Sequence, residues 1–382
     1  MSRRLEMAIK QSIGLRMLNM QHNKGAHESL AFTTFLQETL PYIVRALTQS
    51  LQEPLGSQAQ TDLQAYLYQP LAHFTVNGGK LIRPALCVLG AYACGYEGML
   101  KDNCSIQKSV SDTLLQISCA FEHFQAAALI HDDIADESLL RRGEPCLYRV
   151  HGTGLATNMG DSALVHALEC INSLSDIPDE LRARLIQEFI TMEKHTIEGQ
   201  ALDVGWSNEN RWDISLDDYL YMATSKTAYY SASTPLVIGA LFAGANQERS
   251  EALRAYGLQA GLAFQLKDDE LNLFGDANKL GKDLRSDIVE GKRTYLTLYA
   301  LSHLNALQSA QLKEILTKPH NSPDELDKAC ALIEVSGART HSHNLARSLA
   351  QQADACIDEN LFSKDTVAIL HAMTAFFIQR NA

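Results

Sequence analysis

The sequence is poor in the features that sort proteins early. Its nine prolines are scattered, and no Gly/Ser-rich or Pro-rich tract separates two halves. The whole of 1–382 is therefore expected to fold as one large domain, with residues 1–30 as an N-terminal extension. None of the eight cysteines stands in a CxxC pair or in the dense spacing of a disulfide framework. They read as reduced thiols that mostly fill space, which fits a cytoplasmic protein. Positive charge is scarce as well: 33 Lys and Arg stand against 45 Asp and Glu, a formal charge of −12. Broad nucleic-acid or anionic-membrane faces are excluded, because both need a basic field. An anionic ligand would have to be held by a local cluster of cations.

Long apolar runs are missing too. Met1-Ser2-Arg3-Arg4 is not followed by the continuous apolar core of a signal peptide, and charged or polar residues interrupt every long hydrophobic stretch. No integral membrane segment is expected. Strand-like alternation is scarce, no fixed-period repeat is visible, and no HExxH or Cys/His pair frames His73, His123, His131 or His151. These absences weigh against a β-rich fold, a solenoid and a zinc centre. The histidines are expected to pack between helices or to hydrogen-bond behind a site.

What is present is helical periodicity. Apolar residues recur at three- and four-residue spacing, as in Leu114, Ile117, Phe121, Phe124 and Ala128, the pattern of one face of a helix. Gly, Pro, Asn and Asp gather near 53–60, 95–106, 176–179, 205–212, 244–248, 275–287 and 319–323, where breaks are expected. They leave room for ten or more helices. With 46% hydrophobic residues, the expectation is a large all-α bundle.

Two acidic clusters stand out on that background. In His131-Asp132-Asp133-Ile134-Ala135-Asp136, Asp132 and Asp136 share a helix face and Asp133 sits about 100° round from Asp132. Like charges so placed repel. Taken alone the cluster reads equally as a solvated helix end or as a cation site. A second pair, Asp268-Asp269 with Asn272, lies on another apolar helical segment. Two oxygen-ligand clusters on separate helices suit Mg²⁺, which takes a few carboxylates, waters and substrate phosphates. Cations accompany each cluster: Arg141-Arg142-Gly143 after the first, Gly281-Lys282 and Gly291-Lys292-Arg293 after the second. Upstream, Asn77-Gly78-Gly79-Lys80-Leu81-Ile82-Arg83-Pro84 sets Lys and Arg beside glycines whose backbone can approach a phosphate. A diphosphate leaving group needs such donors where its charge develops.

In this order the blocks resemble those of the trans-isoprenyl (polyprenyl) diphosphate synthase family. Gly79-Lys80 to Arg83-Pro84, His131 to Asp136 with Arg141 to Gly143, Gly160-Asp161, Gly199-Gln200 with Asp203, Lys226-Thr227, Phe264 to Asp269, Gly281-Lys282, Ser286-Asp287 and Glu290 to Lys292 follow the family's sequence of motifs. They run from about 77 to 294. The resemblance implies helices around a deep central apolar cavity, a homodimer, and Mg²⁺, three ions, bound with the allylic diphosphate. It assigns metal binding to Asp132, Asp133, Asp136 and Asp268, with Asp269 and Asn272 beside them. Arg141, Lys226 and Lys282 would hold the allylic diphosphate. Gly79, Lys80, Arg83, Gln125 and Arg142 would hold isopentenyl diphosphate, with Lys292 among the substrate-binding cations. Thr227 and Gln265 would face the developing allylic cation. Asn272 departs from the third aspartate of the family's second motif; Cys146 replaces a common threonine, and Leu81 is a smaller change.

The activity implied is head-to-tail condensation of isopentenyl diphosphate with an allylic diphosphate. A class I terpene cyclase and a non-catalytic subunit of a heteromeric synthase are the alternatives. In this family, bulky side chains before the first aspartate motif limit product length. Here Ala127 and Ala128 are small, and Phe124 lies eight residues before Asp132, about 6 Å below Ala128. The expected product is geranylgeranyl diphosphate or a somewhat longer chain, unless Phe124 only packs between helices.

Overall fold

The computed structural model describes residues 29–51, 57–77, 79–96, 112–275 and 284–380. Among them the chain is helical almost throughout, and the strands are the two-residue pair Leu140–Arg141 and Glu144–Pro145. The all-α expectation is met. One expected break shifts: Gly205 lies inside the Asp179–Asn208 helix, and the chain leaves helix only at 209–215. A lone glycine costs a helix about 1 kcal/mol, and the flanking Leu202 and Trp206 pack against an apolar cluster that outweighs it. Helix starts follow local chemistry. Ser215, Asn305 and Ser322 each accept from the backbone N–H three residues on, and the side chain there returns the bond, which satisfies otherwise orphaned donors.

The described residues fall into two compact units. One draws on the spans Met1–Thr191, Thr234–Arg254 and Ile357–Met373, the other on Met192–Ser233, Ala255–Cys356 and Thr374–Ala382. In the first unit the Asp112–Ala135 helix packs on Thr153–Asn172, Ile82–Ala93 and Leu30–Ser50. Every residue from 117 to 127 is buried, so this helix is enclosed on all sides rather than amphipathic. Its enclosed polar groups need partners. His123 Nε2 lies 3.0 Å from Ser50 Oγ, and burial lowers this imidazole to about 3, keeping it neutral.

In the second unit the Leu216–Ala223 helix continues directly into a π-helix, Thr224–Ser233. A π-turn is wider than an α-turn and bulges towards its neighbours. The neighbours give way with glycine. A Cβ at Gly199 would lie 2.3 Å from Lys226 N, one at Gly257 2.4 Å from Ser233 Cα, and one at Gly261 2.7 Å from Ala228 Cα. No side chain fits at those contacts, so the three glycines are what allow the widened segment to be packed. Tyr219, Leu262, Leu266, Tyr295 and Leu349 form an apolar cluster beside it.

Candidate active site

The first acidic cluster ends the Asp112–Ala135 helix. Neighbouring residues there point about 100° apart, so Asp132 and Asp133 cannot face the same way. Asp133 turns inward with 2% of its side chain exposed, while Asp132 keeps 21% open. Arg141 supplies the counter-charge. Its Nε donates to Asp133 Oδ1 at 2.7 Å, its Nη2 joins the same oxygen, and Nη2 lies 3.7 Å from Asp132 Oδ2. Burial pushes the Asp133 carboxyl up from its ordinary range, and Arg141 opposes that push. The buried Cys146 thiol also hydrogen-bonds this carboxylate, so the cysteine is part of the Asp133 environment. Asp136, one turn on, donates its backbone N–H to Asp132 O at 2.8 Å.

Arg141 leads into a tight hairpin. Arg141 pairs with Glu144, and the two residues between them, Arg142 and Gly143, have φ of 57° and 81°. Positive φ at both central positions is the type I′ turn that suits a two-residue hairpin. An arginine in that region is strained by about 1–2 kcal/mol, and its side chain is firmly tied. Arg142 Nη1 donates to Phe74 O and Asn77 O, both at 2.7 Å, capping the open C-terminal end of the Gln69–Val76 helix. Its Nη2 lies 3.5 Å from Glu122 Oε1. At Gly79, with φ of 68°, a Cβ would come 3.1 Å from Arg142 Nη2. The structure thus brings Arg142 against the Gly79 turn, and Arg83 is close enough for its charge to bear on Arg142. Lys80 is half-buried there, and Leu81, with φ of 48°, starts the Ile82–Ala93 helix. Gln125 is buried in the same unit, its Oε1 without a hydrogen-bond partner among the described residues. His131 pairs with Asp161 at 3.3 Å.

The three length-related positions separate. Ala127 is buried among Leu71, Phe74, Ile130, Ala156 and Met159, whereas Ala128 is half-buried. Phe124, on the Ala128 and Asp132 face, meets Phe189 edge-on with ring centroids 6.0 Å apart.

The second acidic cluster lies near the end of the Gln247–Phe274 helix. Asp268 is 35% exposed and is paired with Arg380. Arg380 also donates to Phe264 O at 3.0 Å and stacks over the Phe264 ring at 3.8 Å. Asp269 is buried; Tyr219 OH donates to its Oδ2 at 2.6 Å and Gln265 Nε2 to its Oδ1 at 2.7 Å. Burial raises the Asp269 carboxyl, and these two donors pull the other way. Thr227 Oγ1 donates to Gln265 Oε1 at 2.8 Å. Lys226, beside it on the π-helix, reaches Asp203 Oδ2 at 2.5 Å. The Asn272 amide donates to Ser286 Oγ at 2.9 Å and accepts from Asp287 N at 3.2 Å, holding the turn that follows. Lys292 pairs with Glu290 at 2.8 Å. Arg293 is a brace: it donates to Arg211 O at 2.7 Å and lies 3.9 Å from the Trp212 ring. Lys282 lies outside the described residues.

The carboxylates that keep an open face are Asp132 and Asp136 in the first unit and Asp268 in the second. Of the other residues expected at the metal, Asp133 is bonded to Arg141, Asp269 to Tyr219 and Gln265, and Asn272 to the 285–287 turn. Among the described residues no group of three His, Cys, Asp or Glu side chains is gathered to hold a metal by itself. Glu122, Tyr219 and Arg380 were not singled out by sequence. Arg380 is separated from Asp268 by 112 residues, and no local pattern connects them.

The polyprenyl synthetase family model matches residues 64–333. The short chain isoprenyl diphosphate synthase of Methanocaldococcus jannaschii is 34% identical over 76% of this chain and 82% of its own length. The geranylfarnesyl diphosphate synthase of Natronomonas pharaonis is 31% identical over 86% and 94%. Among solved structures, the geranylgeranyl pyrophosphate synthase of Corynebacterium glutamicum, complexed with isoprenyl diphosphate and magnesium, superposes with a TM-score of 0.78 at 29% identity, covering 90% of this chain and 99% of that one. With the ordered motifs, the helical fold and a family model spanning most of its length, the chain belongs to the polyprenyl synthetase family.

Proposed function

We propose that this chain is a Mg²⁺-dependent trans-prenyltransferase that joins isopentenyl diphosphate head-to-tail to an allylic diphosphate, giving a product of twenty carbons or more. The observation that carries the reading is the Arg141-Arg142 hairpin, whose adjacent guanidinium groups serve the Asp132–Asp133 helix end and the Gly79 turn. On this reading Arg141, Lys226 and Lys282 hold the allylic diphosphate, and Gly79, Lys80, Arg83, Gln125 and Arg142 hold isopentenyl diphosphate. Asp132, Asp136 and Asp268 would hold Mg²⁺, which supplies positive charge to the departing diphosphate. The allylic C–O bond breaks and its electron pair leaves with the diphosphate. Thr227, backed by Gln265, turns an oxygen dipole to the electron-poor carbon. The isopentenyl double bond attacks that carbon, one C–C bond forms, and a proton lost to the released diphosphate restores a double bond.

The family resemblance extends the proposal to three Mg²⁺ ions, a cytoplasmic location and a homodimer. Val165 and Ile190, exposed by 64% and 44%, are apolar side chains that a second subunit would cover. Geranylgeranyl diphosphate is the proposed main product. The test is incubation of the chain with isopentenyl diphosphate and allylic primers of several lengths, with Mg²⁺ or with chelator, followed by product masses. Extension by five-carbon steps only with metal is expected. Cyclic hydrocarbon formed without isopentenyl diphosphate would instead identify a cyclase, and no turnover a non-catalytic subunit.

A further inference from the structure

The second unit contains a chain of four side chains, Thr227, Gln265, Asp269 and Tyr219, linked by bonds of 2.8, 2.7 and 2.6 Å. Valence fixes its direction. A carboxylate only accepts, so both the Gln265 amide nitrogen and the Tyr219 hydroxyl must donate to Asp269. The Gln265 amide then cannot flip, and its oxygen must face Thr227. The single hydroxyl proton of Thr227 is used on that oxygen, which leaves only lone pairs for anything else Thr227 meets. An oxygen locked to present lone pairs can stabilise a developing cation without reorganising when the charge appears. A freely rotating hydroxyl would point its proton at the cation part of the time.

The far end of the chain is anchored. Tyr219 is 2% exposed, meets Tyr295 edge-on at 5.8 Å, and sits in the capped Leu216–Ala223 helix that runs into the π-helix bearing Thr227. Asp269 is buried with no cation among its described partners, an expensive placement for a carboxylate. A leucine would fill that space without the cost, but it could not orient an amide.

We propose that Asp269 and Tyr219 are positioning residues: Asp269 sets the flip of the Gln265 amide and through it the lone pairs of Thr227, Tyr219 holds the Asp269 carboxylate in place for that bond, and Asp269 acts here and not as a metal ligand. The inference rests on the reading of Thr227 given above.

The test is a double-mutant cycle on the single-turnover condensation rate of the full chain with Mg²⁺ and both substrates. Tyr219→Phe should lower the rate about tenfold in the native background and leave it unchanged in a Thr227→Ala background, because an effect that passes through Thr227 disappears with it. Asp269→Asn, whose amide can still accept from Gln265 and donate to Tyr219, should retain most of the rate and the native half-saturating Mg²⁺ concentration. Asp269→Leu should lower the rate about a hundredfold at that same Mg²⁺ concentration. Additive losses in the cycle overturn the proposal, since a general packing role gives additivity. So does an Asp269→Asn variant that needs much more Mg²⁺, as a lost ligand would. A native chain that forms no condensation product sinks the functional reading and this inference together, whereas an active chain with additive losses sinks the inference alone. Should Asp269→Leu fail to fold, the Tyr219→Phe cycle and Asp269→Asn still decide.

Discussion

The two acidic clusters use the same pair of letters and solve the same geometrical problem with different partners. In each, the second aspartate is drawn inward and the first stays partly open: Asp133 is 2% exposed against 21% for Asp132, and buried Asp269 sits beside Asp268 at 35%. Adjacent positions about 100° apart on a helix make such a split natural. The partners differ. Asp133 is held by the cation Arg141, and Asp269 by two neutral donors, Tyr219 and Gln265. An Asp-Asp pair in this sequence is therefore one outward carboxylate and one inward carboxylate.

That contrast should show most strongly in turnover. Asp132→Ala and Asp268→Ala are each expected to lower the condensation rate by about a thousandfold or more while leaving the circular dichroism of the helices intact, because charge separation loses its support. Near-native rates in both would remove the metal assignment. The inward pair should separate in stability. Asp133→Asn takes from half-buried Arg141 its hydrogen-bonded carboxylate and leaves it Asp132 at 3.7 Å, a loss of about 1.5–3 kcal/mol, and should lower Tm clearly. Asp269→Asn removes a charge that has no cation among its described partners. Burial raises the Asp269 carboxyl above its unfolded value, so the native state binds the extra proton and stability falls as pH rises through the folded value. The Tm of Asp269→Asn relative to the native chain, measured without metal, should therefore climb between pH 5 and pH 8. Equal Tm losses for the two asparagine variants would erase the contrast.

Lys80→Ala or Arg83→Ala should raise KM for isopentenyl diphosphate by a factor that corresponds to about 1.5–3 kcal/mol, with a smaller change for the allylic substrate. Varying each substrate in turn distinguishes the two. The smallest effect is on product length. Ala128→Phe should shorten the product and Phe124→Ala lengthen it by about one isoprene unit, read by product mass. Because Phe124 packs on Phe189, the second change should also cost stability. An unchanged product distribution in both would place the limit elsewhere.

The helices and the local blocks were legible because both are written at short range. The periodicity of Leu114, Ile117, Phe121 and Phe124 marks a helix, and all four are buried in it. Lys226-Thr227 is readable as a motif, yet nothing in those letters announces a π-helix, since that depends on Gly199, Gly257 and Gly261 yielding space from other helices. Gly205 reads as a break and is overridden by packing. Asn272 reads as a departure from the family's third aspartate, and only the fold shows its amide holding the 285–287 turn. Tyr219 and Arg380 acquire meaning only once the chain has folded back on Asp269 and Asp268.

The hairpin of the first unit has a thermodynamic consequence. Arg141 and Arg142 are joined by one peptide bond, one bound to the acidic helix end and the other to the Gly79 turn. A ligand that immobilises either guanidinium also restricts the backbone that carries the other. The ordering entropy is then lost once instead of twice, so each of two diphosphates gripped by this hairpin should bind more tightly when the other is already present, by the same factor in either order.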